Sequence, residues 1–79
     1  MAKKRPYWQK VNDTLHQAMA KDKTIVLLGQ GVNSAWYVGR ICEGLADRFK
    51  DRVIDTPCAE NGMTGVAIGL ALAGMRPII

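Results

Sequence analysis

Arg52-Val53-Ile54-Asp55-Thr56-Pro57-Cys58-Ala59-Glu60-Asn61-Gly62 is a β-branched run that breaks at Thr56-Pro57 and delivers a carboxylate to the mouth of a glycine-spaced helix. The run predicts a short strand over Arg52–Asp55 and a helix over Asn61–Ala73. In open parallel α/β sheets, ligands bind beyond the carboxyl ends of the strands, where a strand hands over to a helix. Glu60 sits at such a handover. A carboxylate at the start of a buried helix is favoured in its charged form by the helix dipole and disfavoured by desolvation. Held in that balance, a carboxyl can give or share a proton near neutral pH, which suits acid/base work. The structural alternative, a glutamate that merely complements the dipole, stays open at this point.

Upstream, Thr24-Ile25-Val26-Leu27-Leu28 is an unbroken apolar run ended by Gly29-Gln30-Gly31, which reads as a strand buried on both faces of a parallel sheet. Before it, Val11, Leu15, Ala18 and Met19 recur at the spacing of one helix face, and Pro6 suits the first turn, so a helix is expected from near Pro6 to near Ala20. Between the two strands, Asn33-Ser34 offers a cap for a second helix whose stripe is Val38, Ile41, Cys42, Leu45 and Phe49. Downstream, the third helix is apolar nearly all round, and Arg76-Pro77-Ile78-Ile79 opens a third strand. Strands alternating with crossover helices predict an α/β fold, a three-layer, doubly wound parallel sheet. Because the third strand has barely begun at Ile79, this sheet is expected to be incomplete and to continue in a longer polypeptide.

Gly62, Gly65 and Gly69 cost up to ~1 kcal/mol each in helix propensity relative to alanine, and close packing of this helix against the sheet or a partner helix is the expected reason. Gly29-Gln30-Gly31 resembles the start of a nucleotide-binding loop, but Ser34 stands where the third glycine of G-x-G-x-x-G belongs. The two glycines instead predict a tight strand-to-helix turn that aims Gln30 and Asn33 at a shared crevice. Trp36 and Tyr37 follow as candidate pocket walls, while Trp8 and His16 read as helix-surface or packing residues.

At 79 residues the chain is one small domain at most. Its formal charge of +4 owes three units to Lys3-Lys4-Arg5, so residues 1–5 read as a basic arm, 6–79 carry the domain, and a nucleic-acid partner is disfavoured. Cys42 and Cys58 match no zinc or redox spacing, and read as reduced thiols of a cytoplasmic protein. The most apolar segment, Met63–Met75, is far below the ~20 residues needed to cross a bilayer.

The ordered set Ile25-Val26-Leu27-Leu28-Gly29, then Val53-Ile54-Asp55-Thr56-Pro57-Cys58-Ala59-Glu60, then Gly62-Met63-Thr64-Gly65-Val66-Ala67-Ile68-Gly69 and Ala73-Gly74-Met75-Arg76-Pro77 resembles the pyrimidine-binding domain of transketolase-like thiamine diphosphate enzymes. In particular it looks like the beta subunit of the dehydrogenase component of pyruvate and other 2-oxo acid dehydrogenase complexes. The resemblance covers nearly everything from Lys21 to Ile79 and implies the thiamine diphosphate-binding fold. It also implies that Glu60 hydrogen-bonds a ring nitrogen of the aminopyrimidine, favouring the imino form whose nitrogen deprotonates the thiazolium. A partner alpha subunit would grip the diphosphate and its magnesium in a hetero-oligomer, so the isolated chain is expected to be inactive. The sequence departs from the family in carrying Gln30 where an acidic residue is common, and Asn33-Ser34-Ala35-Trp36-Tyr37 where a glycine-rich segment is common. The substrate therefore stays open, transketolase-like ketol transfer being one alternative. A second class of function is a non-catalytic paralogue that binds an alpha subunit.

Overall fold

Residues 6–33 and 40–79 are described by the computed structural model. The apolar run upstream of Gly29 becomes β1, Ile25–Gln30, and its two neighbours are β2, Val53–Thr56, and β3, Arg76–Ile78. All three are parallel in the order β2-β1-β3, with Leu27 opposite Val53 on one side and Ile78 on the other. Period-two alternation sends Ile25, Leu27, Val53 and Ile78 to one face and Val26, Leu28, Ile54 and Pro77 to the other. The first face packs with Leu15, Met19, Leu45 and Phe49 in the main core. On the second, Val26 and Leu28 are buried beneath α3, Glu60–Leu72, which contacts both β1 and β3. Helix, sheet and helix thus form three layers, as the alternation of elements predicts.

The first helix, α1, spans Tyr7–Lys21 with Pro6 as its cap, one residue from the expected bounds. Its inward stripe ends on Met19, which is fully buried. Arg76 N–H donates to Thr24 O at 2.8 Å, so β3 turns Arg76 and Ile78 toward β1 and the backbone of Pro77 toward the open edge.

The second helix is the main departure from expectation. Residues 41–44 form turns, α2 is confined to Leu45–Arg48, and a single 3-10 turn over Lys50–Arg52 leads into β2. Side chains of α1 explain the change. Asn12 Nδ2 donates to Ile41 O and Glu43 O at 2.8 and 2.9 Å, and His16 Nε2 lies 3.0 Å from Glu43 O. Those carbonyls would accept helical bonds, and here they are taken by α1. Gly44 then adopts a left-handed φ of 78°, which starts α2 afresh. The Asn33-Ser34 cap and Val38 of the expected helix, like Trp36, Tyr37 and the basic arm over 1–5, fall wholly or partly outside the described residues.

The third helix also differs. It is apolar as expected, but it has no buried residue, and Val66, Ile68 and Leu72 are exposed, the last at 86%. A Cβ built on Gly65 or Gly69 would meet nothing within 4 Å. The close packing expected of these glycines is therefore not made among the described residues. No helix among them is long and apolar enough to cross a membrane. Cys42 is buried and Cys58 exposed, and both are free thiols.

At the amino end of the sheet, Asp22 caps the entry to β1. Its carboxylate accepts from the Thr24 hydroxyl at 2.6 Å and the Thr24 N–H at 2.9 Å, and Arg76 Nη1 lies 3.4 Å away. Those two hydrogen bonds, helped by the charges of Arg76 and Arg52 and opposed by desolvation, hold the Asp22 carboxyl below its ordinary range. A depressed native pKa stabilises the fold above the unfolded value of roughly 3.9, and the contribution is lost as pH falls through the native value. Thermal melts from pH 6 downward should therefore show a falling midpoint below about pH 4. Asp22→Asn should flatten that decline; equal slopes would remove Asp22 from the acid transition.

Candidate functional site

The strand order β2-β1-β3 places the topological switch point between β1 and β3, because the chain leaves β1 toward one side and reaches β3 by crossing back over it. A cavity of about 500 Å³ opens there, at the carboxyl end of the sheet. Its walls are Leu28, Gly29 and Gln30 at the end of β1, Ile78 and Ile79 at β3, Leu15 of α1, and Glu60, Met63 and Thr64 on the first turns of α3. The volume falls in the ~300–1,000 Å³ span typical of small-molecule sites.

The wall is largely aliphatic, with Glu60 bringing a carboxylate and Gln30 an amide. Glu60 is the first residue of α3 and follows Ala59, whose side chain offers no cap. Glu60 thus stands in the first turn of α3, the end of a helix at which a negative charge is favoured. Thr64 Oγ1 donates to the Glu60 carbonyl at 2.9 Å, and the Cys58 thiol lies 3.7 Å from Glu60 Oε1. The partly desolvated carboxyl expected from the sequence is not what the described residues provide: Glu60 lines the cavity yet is exposed. The reason is that α3 covers one side of it, and the crevice above the sheet stays open.

Gln30 joins Glu60 on the cavity wall, whereas Asn33 does not line the cavity and lies exposed in the turn beyond it. That turn is sharp. Gly31 takes a φ of 76°, a conformation that costs an L side chain, and Val32 folds inward to burial. Gly29 sits so close to it that a Cβ there would lie 3.3 Å from Val32 Cγ1. Gly31 N–H donates to Asp55 Oδ1 at 2.7 Å. Sequence reasoning passed over Asp55, although the parallel register sets it opposite Gly29 and so beside the turn. It also passed over Met63, which lines this cavity and a smaller one of about 210 Å³ shared with Thr56 and Pro57. Thr56 Oγ1 is buried there without a hydrogen-bond partner among the described residues.

An apolar slot with a carboxylate and an amide on its rim suits a flat heteroaromatic ring: apolar walls cover the faces, and the carboxylate meets a polar edge. No group of three or more His, Cys, Asp or Glu side chains that could hold a metal ion occurs among the described residues.

Residues 3–79 match the family described as transketolase, pyrimidine binding domain. Over 72 residues the chain is 42% identical to the pyruvate dehydrogenase E1 component subunit beta of Staphylococcus epidermidis, covering 90% of this chain and 22% of that protein. It is 45% identical over 71 residues to the 3-methyl-2-oxobutanoate dehydrogenase subunit beta of Mycobacterium tuberculosis, covering 89% of this chain and 20% of that one. The corresponding pyruvate dehydrogenase subunit of Leifsonia xyli is 43% identical over 75 residues, 94% of this chain and 22% of the relative. The chain thus spans about a fifth of the length of these relatives.

Proposed function

Because the chain belongs to the transketolase pyrimidine-binding domain family, we propose that it forms the aminopyrimidine-holding wall of a thiamine diphosphate site in the beta subunit of a 2-oxo acid dehydrogenase. The observation that carries this reading is the pairing of Glu60 with an aliphatic cavity at the switch point of a parallel sheet. When bound, the cofactor supplies a nucleophilic carbon for attack on a 2-oxo acid and an electron sink for its decarboxylation.

The chain's own residues do three things. Glu60, at the first turn of α3, would donate a proton from its carboxyl to a ring nitrogen of the cofactor and share it there. Leu28, Met63 and Ile78 exclude water from the ring faces, which strengthens that hydrogen bond by lowering the local dielectric. Gln30 meets a polar edge from the β1 side. The diphosphate and its magnesium fall to an alpha-type partner subunit, whose approach also closes the crevice over Glu60 and desolvates it. The substrate class is a small 2-oxo acid, as the names of the relatives suggest.

Titration calorimetry with thiamine diphosphate and magnesium, with and without an alpha-type subunit, tests the proposal. Uptake that requires the assembled pair is the expected result. Assembly without cofactor uptake points instead to a non-catalytic paralogue.

A further inference from the structure

Gln30 and Glu60 stand on different elements of the cavity wall, Gln30 at the end of β1 and Glu60 at the start of the helix after β2, so their separation depends on how firmly the two strand ends are tied. Backbone pairing ends at Gln30 opposite Thr56. Past that point β1 turns at Gly31, and the Gly31 N–H is received by the Asp55 carboxylate at 2.7 Å. Asp55 belongs to the strand that leads through Thr56-Pro57 into Glu60. We propose that Asp55 is a positioning residue of the cofactor site, its carboxylate joining the turn that carries Gln30 to the strand that delivers Glu60. This inference rests on the reading of the cavity as a thiamine diphosphate site.

The chemistry favours such a tie. An N–H given to a carboxylate is a charge-assisted bond, shorter and stronger than one between neutral groups, and it needs no water to complete it. Gly31 lies in the left-handed region, and its N–H is directed to the Asp55 carboxylate of the neighbouring strand β2. Val32, next along, is anchored in the core. With Asp55 on one side and Val32 on the other, the turn has a fixed course at the cavity rim. Without the carboxylate the turn samples other courses, and the apparent cofactor affinity falls by the fraction of time it spends out of place.

The experiment uses the assembled protein and three variants, Asp55→Ala, Asp55→Asn and Asp55→Val. Half-saturation by thiamine diphosphate is followed by calorimetry, kcat at saturation by turnover, and exchange of the Gly31 amide by hydrogen–deuterium methods. Asp55→Ala should raise half-saturation about tenfold and accelerate Gly31 exchange, with kcat at saturation within about twofold. Asp55→Asn keeps an acceptor oxygen and should recover most of the affinity. Should Asp55→Ala fold poorly, Asp55→Val, which favours the strand, carries the same expectation. A lower melting temperature with unchanged half-saturation and unchanged Gly31 exchange reduces Asp55 to a structural role and overturns the proposal. Absence of cofactor uptake by the unsubstituted assembly overturns both this proposal and the functional reading beneath it, so the two failures are distinguishable.

Discussion

Glu60→Gln is expected, on the proposed function, to lower turnover of the assembly with an alpha-type subunit by ~10²- to 10⁴-fold, the usual span for losing a positioned acid/base group. The substitution is nearly isosteric, and Glu60 is exposed at the first turn of α3, where surface changes usually stay within ~0.5 kcal/mol of stability. The bond from Thr64 Oγ1 reaches the backbone carbonyl of residue 60 and survives the change. A loss of turnover at unchanged melting temperature would therefore report chemistry. The glutamine can still accept a hydrogen bond, but it cannot hold a shared proton. Turnover equal to that of the unsubstituted enzyme would remove Glu60 from the mechanism.

Arg52→Ala should cost about 2–4 kcal/mol of folding free energy, since bonds to a charged donor contribute ~1.5–3 kcal/mol each and solvent replaces part of the loss. The guanidinium donates to Met19 O at 2.8 Å, Asp22 O at 3.0 Å and Ile25 O at 3.2 Å, and its carbon lies 4.8 Å from the centre of the Phe49 ring. It thus ties the end of α1, the entry to β1 and the approach to β2 together, and its charge sits well at the carboxyl end of α1. Against a typical domain stability of ~5–15 kcal/mol this is a large fraction. Arg52→Lys should restore little, because an ammonium has no planar fork with which to reach three carbonyls. Urea titration measures the effect, and a loss below about 1 kcal/mol would mean that water replaces the guanidinium at these carbonyls.

Much of the sheet could be read from the chain alone. Ile25–Leu28 is an apolar run too short for a helix and too continuous for an exposed strand. Thr56-Pro57 marks the end of β2 because proline has no N–H to give the ladder. The long second helix expected from the sequence is not formed over 41–44, because apolar spacing reports a preference, and the decision lay with Asn12 and His16 on another element. The same limit applies to α3. Its composition reports apolarity, but whether Val66 or Leu72 finds cover depends on surfaces that local sequence does not describe. Glu60 and Gln30 come to one cavity wall because Gln30 ends β1 and Glu60 opens the helix that follows β2. Asp55 could not be read from the chain alone, since its place beside the turn comes from parallel register, which pairs residues 26 positions apart.

Pro77 has a consequence for what the outer edge of β3 will tolerate. Its neighbours Arg76 and Ile78 face β1, so the ring of Pro77 stands on the far margin, where it offers a carbonyl and no donor. A foreign strand sliding along that margin would meet a gap in its hydrogen-bond ladder, which discourages indiscriminate pairing between molecules. Any strand that pairs there must take a register that leaves its own acceptor opposite Pro77 turned to water or to a side chain. One imino acid thereby discourages sticky self-association and narrows the registers in which any further strand could pair.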